Sequence, residues 1–174
     1  NGQNCTIEET DEGYSITCPG QDPVTITNGR DGEDSTGLIG VLEGRITIEN
    51  SLDVLLLQGV TRITGDLVID APGLTRVSLP NLESVGGELF LENEATLTEL
   101  LLPALTAVEG DLRFNVSTVL TTFNAPVLGR VGGSIELVAN RALTELILPS
   151  LETVGVDVNL RVNGEIETIS LPQL

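Results

Sequence analysis

The sequence contains no lysine, histidine, methionine or tryptophan, and only three phenylalanines and one tyrosine among 174 residues. Without histidine, no Ser/His or Cys/His nucleophile pair and no histidine-based zinc site can form. No glycine-rich phosphate loop of standard spacing is present. The longest aliphatic run, Val54 to Leu57, is far too short to cross a membrane as a helix. We therefore expect a chain that is not an enzyme and that has no membrane-inserted segment.

Positive charge is scarce, because eight arginines face 26 acidic residues and give a formal net charge of −18. Nucleic-acid binding needs a basic footprint, and anionic membranes repel such a chain, so neither is an expected partner. Such an acidic composition is typical of proteins that remain soluble in a salty or calcium-containing extracellular medium. Binding of a cationic partner is the alternative explanation. The chain begins at Asn1 without methionine or an apolar leader, which indicates a processed or shortened polypeptide.

The two cysteines, Cys5 and Cys18, lie close together in a chain that has no other thiol. An even cysteine count suits a disulfide in an oxidising, extracellular compartment, and two free thiols are the alternative. Residues 14–17 have the composition of a strand, and residues 11–13 before them have that of a turn. We predict a β-hairpin closed by a disulfide, which stabilises so short a loop by about 3 kcal/mol.

A leucine–proline step recurs every 23 residues, and alanine replaces leucine in one of its five copies. A second landmark, a glycine followed by alternating apolar residues, places six coils that start near residues 44, 65, 87, 110, 133 and 156. The units are rich in Val, Ile, Thr and Gly and lack sustained helical periodicity, which argues against a horseshoe of strand–helix repeats. The sequence therefore predicts an all-β fold, a parallel β-solenoid in residues 44–174.

The repeat from Leu97 to Leu112, with its Leu102-Pro103 step and its Gly110-Asp111 turn, resembles the receptor L domain of insulin-receptor-type and EGF-receptor-type ectodomains. It is also similar to repeats of fungal cell-wall proteins in the same superfamily. The resemblance covers residues 44–174. It implies a right-handed β-helix that serves as an extracellular ligand-binding or wall-associated scaffold, and it implies no particular ligand.

Residues 1–43 are interpreted as a separate module. The segment from Cys5 to Cys18, the Val-Thr-Ile-Thr segment 24–27 and the Gly- and Asp-containing stretch 28–34 resemble short cysteine-hairpin segments of bacterial surface proteins. Such segments often precede collagen-like stretches, but two Gly-x-y triplets cannot form a triple helix. We predict that residues 28–43 form a flexible or capping linker.

Carboxylates are the remaining candidates for chemistry. Asp66, Glu88, Asp111 and Asp157 hold the same place in their coils, where stacked neighbours would lie about 4.8 Å apart. They could form a Ca²⁺ ladder or the acid/base pair of a polysaccharide-cleaving β-helix, and a solvated turn residue beside glycine is the structural alternative. Coil length varies too little for loops to wall a cleft, which disfavours the enzyme. Further Ca²⁺ candidates lie in the linker, at Asp31, Glu33 and Asp34. No other cofactor is expected.

Two columns of residues should face outward, and their apolar members could form a contact patch or be exposed singly. One column runs through Thr47, Val68, Phe90, Arg113, Glu136 and Asn159. The other runs through Leu56, Ser78, Leu101, Asn124, Ile147 and Ser170. The interface candidates are the apolar members: Leu56, Val68, Phe90, Leu101 and Ile147.

The last coil supplies three more interface candidates. Ile169, Leu171 and Leu174 belong to core columns whose far side would face water, so either the chain was cut from a longer protein or another subunit covers this end. Two functions follow from these patterns. The first is an extracellular recognition or adhesion module at the cell surface, with a protein or a glycan as partner. The second is a structural subunit that stacks head to tail on copies of itself in a fibre or surface layer.

Overall fold

The structure is a computed structural model that describes residues 6–10, 13–17, 24–27, 38–92, 95–164 and 166–174. Its strands are numbered in chain order. Three N-terminal strands form an antiparallel sheet, β1 (Thr6–Thr10), β2 (Gly13–Thr17) and β3 (Val24–Thr27), with β2 in the middle. Cys5 and Cys18 lie outside the described residues, so their disulfide stays a prediction.

From residue 38 onward the described chain winds into a parallel β-solenoid of about six coils, which confirms the fold predicted from the 23-residue repeat. The coils pass through three sets of strands, which we call faces 1, 2 and 3. Face 1 is a single parallel sheet of six strands: β5 (Ile46–Ile48), β7 (Leu67–Ile69), β10 (Leu89–Glu92), β13 (Leu112–Asn115), β16 (Ile135–Val138) and β19 (Val158–Arg161).

Faces 2 and 3 are built from shorter strands. Face 2 consists of a three-stranded sheet, β8 (Arg76–Ser78), β11 (Glu99–Leu101) and β14 (Thr122–Asn124), and of the pair β17 (Glu145–Ile147) and β20 (Thr168–Ser170) in the last two coils. Face 3 is a six-stranded sheet: β4 (Ile39–Leu42), β6 (Gly59–Ile63), β9 (Ser84–Val85), β12 (Ala107–Val108), β15 (Arg130–Val131) and β18 (Thr153–Val154).

The core is a set of aliphatic columns that run along the solenoid axis. Alternate residues of each strand point inward, so the period of 23 places like residues above one another, for example Leu89, Leu112 and Ile135. All three are fully buried, as is Phe114, whose ring meets that of Phe123 edge-on at 4.9 Å. Removing one such leucine should cost about 2–5 kcal/mol.

Glycine is required where the coils turn, because neighbouring backbones come very close there. A Cβ atom on Gly132 would collide with the carbonyl oxygen of Glu109 in the coil before, and one on Gly110 would lie 2.7 Å from the carbonyl carbon of Gly87. Backbone atoms cannot move aside as a flexible side chain can. The sequence landmark that marks each coil therefore reflects the packing of one turn on the next.

One helix, α1 (Ser51–Leu56), was not predicted. In the first coil it stands between the face 1 strand β5 and the face 3 strand β6, where later coils have their face 2 strand. Asn50 caps its N-terminus by accepting hydrogen bonds from the backbone N–H groups of Leu52 and Asp53, at 2.9 and 3.3 Å. The Asp53 carboxylate in turn accepts from the N–H of Asn50, which completes a capping box.

The first solenoid strand, β4, lies within the segment that the sequence assigned to the linker. It pairs in parallel with β6, with a register shift between Gly40 and Val41. Leu38 and Leu42 are buried in the core, so residues 38–42 contribute to the solenoid. In the described part of the chain, no helix is long and apolar enough to span a membrane.

Candidate functional site

The first outward column is a straight row across face 1, as the sequence predicts. Thr47 pairs with Val68, Val68 with Phe90, Phe90 with Arg113, Arg113 with Glu136, and Glu136 with Asn159. Every partner pair belongs to adjacent parallel strands, whose spacing is about 4.8 Å. The row therefore runs without interruption across the six strands of face 1.

Arg113, a member of this row, is the centre of a four-residue charge cluster. Its guanidinium donates to Asp111 at 2.6 Å, to Glu136 at 2.9 Å and to Glu88 at 3.4 Å. The Arg113 side chain is 28% exposed, so the cluster lies at the surface. We name Arg113, Glu88, Asp111 and Glu136 the face 1 cluster.

The environment of Arg113 raises its pKa above the ordinary value. Burial alone would lower it, but the charges of Glu88, Glu136 and Asp111 and the hydrogen bond to Glu136 outweigh that effect. A raised pKa favours the charged guanidinium, and the resulting stabilisation is lost only in strongly alkaline solution. Arg113 therefore carries its charge throughout the pH range in which proteins normally fold.

Three of the four carboxylates predicted as a Ca²⁺ ladder or acid/base pair are engaged within the protein, and the fourth, Asp157, is exposed. The Asp66 carboxylate accepts from the backbone N–H of Glu88 at 2.9 Å, and that of Asp111 accepts from Ser134 at 2.7 Å. Glu88 and Asp111 also bind Arg113. Among the described residues, no group of three or more acidic, histidine or cysteine side chains is arranged to hold a metal ion. The candidates Asp31, Glu33 and Asp34 lie outside the described residues.

Two of the interface candidates, which were predicted to face outward, are buried instead. Leu56 is 2% exposed because it is the last residue of α1 and packs into the core, so it belongs to no outward column. Val68 does stand in the face 1 row, but it is only 7% exposed. Its neighbours in the row are Thr47 and Phe90, of which only Phe90 is larger than valine.

The other lateral candidates do not form one patch, because they lie on different faces. Phe90 is half-buried on face 1, whereas Leu101 and Ile147 lie on face 2. Leu101 is half-buried beside Ser78 and Asn124, and Ile147 is exposed beside Ser170. Polar residues thus separate the apolar members of the second column.

The last coil exposes part of the core, as the sequence predicts. Ile169 and Leu174 are 52% and 53% exposed, and Leu171 is half-buried. An open depression of about 540 Å³ adjoins them, and its apolar lining includes Leu160, Val162, Ile166 and Ile169. The edge strands of this end are β18, β19 and β20.

Sequence reasoning missed an asparagine ladder at the turn after face 1. Asn140 accepts from the N–H of Ser117 at 3.2 Å and donates to the carbonyl of Phe114 at 2.8 Å. One coil later, Asn163 accepts from the N–H of Asn140 at 2.9 Å and donates to Leu137 at 2.7 Å. The 23-residue spacing of the two asparagines was the available signal. The ladder ties coils to one another, so its role is structural.

Comparison of the sequence and the fold with protein-family models, curated proteins and solved structures finds no match.

Proposed function

We propose that this chain is an extracellular, non-enzymatic recognition scaffold of the cell surface, which binds a protein or a glycan through face 1. The observation that carries the proposal is the direct pairing of Phe90 with Arg113 at the middle of a six-stranded sheet. Aromatic and arginine side chains are the types that most often dominate the free energy of binding. Phe114 and Phe123 pack inside, whereas Phe90 lies on the outward side of face 1.

The face 1 cluster supports this role because it fixes Arg113 before any partner arrives. A side chain held by three carboxylates has little rotamer freedom left to lose on binding. The resemblance of the coils to the receptor L domain supports the same function. It also supports a right-handed winding of the β-helix. The resemblance of residues 1–43 to cysteine-hairpin segments of bacterial surface proteins supports an extracellular location.

A test of this proposal uses an array of cell-wall polysaccharides and purified cell-surface proteins as probes. Phe90→Ala and Arg113→Ala should each weaken binding about tenfold or more, as expected for central contact residues. Leu101→Ala and Arg76→Ala are matched controls on face 2, since Leu101 is also half-buried and Arg76 also pairs with a glutamate. Binding that depends on the face 2 residues, or no binding at all, would contradict the proposal.

The proposal that this chain is not an enzyme rests on the hydrogen bonds that its carboxylates make. Asp66 and Asp111 accept backbone N–H groups of the next coil, which gives them a structural role in coil stacking. We expect no release of reducing ends from pectins or related polymers. Activity that disappears in Asp66→Asn or Asp111→Asn variants that remain folded would overturn this part.

A second candidate function is a structural subunit that assembles with copies of itself. It is favoured by the placement of exposed apolar residues: nine of the twelve large ones in the described part of the chain lie in residues 39–55 or 156–174. Such residues usually mark contact surfaces when they are grouped. Negative-stain microscopy of the purified chain over a range of concentrations tests this function, which predicts filaments or end-to-end oligomers.

A further inference from the structure

We infer that face 1 binds a basic protein segment whose apolar side chains pack beside its cationic ones. This inference rests on the proposed function and specifies the chemistry of the partner. It commits to a protein rather than a glycan as the occupant of face 1. The binding surface runs from Glu88 and Phe90, at the middle of the sheet, to Val138 and Val116, where the strands of face 1 end.

The face 1 cluster leaves an excess of negative charge at the middle of the sheet. Three carboxylates share one guanidinium, that of Arg113, which gives the cluster a formal charge of −2. On faces 2 and 3, by contrast, the ion pairs Arg76–Glu99 and Arg130–Glu109 each join one arginine to one glutamate. A cationic group of a partner therefore finds carboxylates on face 1 whose charge the protein itself does not balance.

Arg113 is not free to bind an anionic partner. Its guanidinium already donates to Asp111, Glu136 and Glu88, at 2.6, 2.9 and 3.4 Å. An acidic partner would have to displace one of these carboxylates and would meet the repulsion of the other two. The arrangement therefore favours a cation, and the arginine holds the carboxylates in place to receive it.

Phe90 and Glu88 give this cation two kinds of contact. Glu88 stands two residues before Phe90, so the alternation of the chain places both side chains on the outward side of face 1. The Glu88 side chain is 40% exposed, the largest exposed fraction in the cluster, and its contact with Arg113 is the longest of the three. A lysine or arginine of the partner can therefore pair with Glu88 while it lies against the ring of Phe90.

An apolar edge beside the cluster favours a protein over a cationic polysaccharide. Val138 lies on the outward side of β16, two residues after Glu136, and Val116 follows β13 at the turn that ends face 1. Val116 is 43% exposed, although its φ of 59° is one that β-branched residues rarely adopt. Neither the turn nor the core requires a valine there, whereas contact with aliphatic side chains of a partner accounts for it. Strands β10 and β16 are about 10 Å apart, so one short segment can reach both parts of the surface.

Binding of synthetic probes to the 174-residue chain, measured by isothermal titration calorimetry, tests this partner chemistry. The probes are a peptide that alternates lysine with leucine, an oligolysine with the same number of lysines, and an oligomer of glucosamine as a cationic glycan. The lysine–leucine peptide should bind about tenfold or more tightly than the other two, because it alone supplies both cationic and apolar contacts. Its affinity should fall as NaCl is added, since salt screens the attraction between opposite charges.

Substitutions on two faces locate the site. Glu88→Gln and Phe90→Ala should each weaken binding of the lysine–leucine peptide about tenfold or more. Val116→Ser should lower the affinity for this peptide and leave that for oligolysine unchanged, because oligolysine carries no apolar side chain. Glu99→Gln and Leu101→Ala on face 2 are matched controls that should leave binding unchanged, since the Glu99 side chain is also ion-paired and 40% exposed and Leu101 is also half-buried. Circular dichroism confirms that each variant is folded.

Three results would overturn the inference. Equal losses in the face 1 and face 2 variants would mean that the acidic surface attracts the peptide without a defined site. A glucosamine oligomer that binds more tightly than the peptide would make the partner a glycan. A lysine–leucine peptide that fails to bind overturns the inference, and the proposed function then stands if a polysaccharide or protein of the array binds through Phe90. If none does, the proposed function fails as well.

Discussion

Asn140 shows how much of the solenoid can depend on one side chain. Its amide group contacts Ser117 and Phe114 in the coil before, and its own N–H donates to Asn163 in the coil after. The turn that it supports places Val116 and Ala139 at a φ of 59°, a conformation that non-glycine residues rarely adopt. The asparagine hydrogen bonds hold the backbone in this turn.

Asn140→Ala should lower the free energy of unfolding by about 1–3 kcal/mol, because it leaves buried backbone groups without their partners. Asn140 is fully buried, so water cannot replace the lost hydrogen bonds in place. Urea titration followed by circular dichroism measures the change. Asn124→Ala on face 2 is the control, since Asn124 is exposed and should change stability by less than about 0.5 kcal/mol. Equal effects of the two variants would contradict the role of the ladder.

For single residues, the sequence predicts which way a side chain points better than it predicts how exposed that side chain is. The period of 23 and the alternation of strands place Phe90 and Arg113 correctly in one outward row. The same rules cannot show that Val68 is buried in spite of its place in that row. Nor can they show that Arg113 forms ion pairs with Glu88, Asp111 and Glu136, because these contacts depend on the side-chain rotamers. The face 1 cluster could therefore not be predicted from the sequence.

At the scale of elements, α1 is the feature that repeat analysis missed. The 23-residue repeat predicts a strand on face 2 in every coil, but the first coil has a helix in that place. The signal was present in the sequence, because asparagine at position 50 and aspartate at position 53 form a capping box. A six-residue helix is too short to show helical periodicity, so only the cap could have revealed it.

The cap leads to a prediction for this helix. Asn50→Ala should cost about 1 kcal/mol of stability, since the N–H groups of Leu52 and Asp53 lose their acceptor. Asn50→Asp should keep most of the stability, because aspartate caps helices as well as asparagine does. Urea unfolding of the two variants side by side provides the measurement. If both lose stability alike, the capping interpretation is wrong.

The N-terminal sheet carries the disulfide prediction. Strands β1 and β2 pair so that Thr6 lies opposite Thr17, and the two cysteines are the next residues outward in the sequence. We therefore expect Cys5 and Cys18 to be bonded to each other. Intact mass after alkylation should show two added groups only if the protein is first reduced. Two alkylated thiols in the unreduced protein would refute the bond.

For the whole molecule, the sequence predicts the architecture well because the fold repeats. Each coil offers the same apolar columns and the same glycine turn, so an error in one coil is corrected by the others. The first and last coils have only one neighbour, and there the sequence was less informative. It assigned residues 28–43 to a linker, although β4 within that segment pairs with β6.

Net charge sets a final property of the whole molecule. With a formal charge of −18 on 174 residues, carboxylates repel one another more than arginines can offset. Unfolding separates these charges, so their repulsion destabilises the folded state at low salt. Because the Debye length is about 30 Å at 0.01 M and about 10 Å at 0.1 M, added salt should screen this repulsion.

We therefore expect the urea midpoint to rise as NaCl increases from about 0.01 M to about 0.5 M, over which the Debye length shrinks several-fold. A triple variant, Glu145→Gln/Glu152→Gln/Glu167→Gln, removes three exposed carboxylates and serves as the matched comparison. It should start from a higher midpoint in low salt and gain less as salt is added, because less repulsion remains to be screened. A midpoint that falls with salt would mean that ion pairs such as those of Arg113 outweigh the repulsion. In that case the acidic surface would be a net source of stability, and the charge of the solenoid would have to be understood through local pairs.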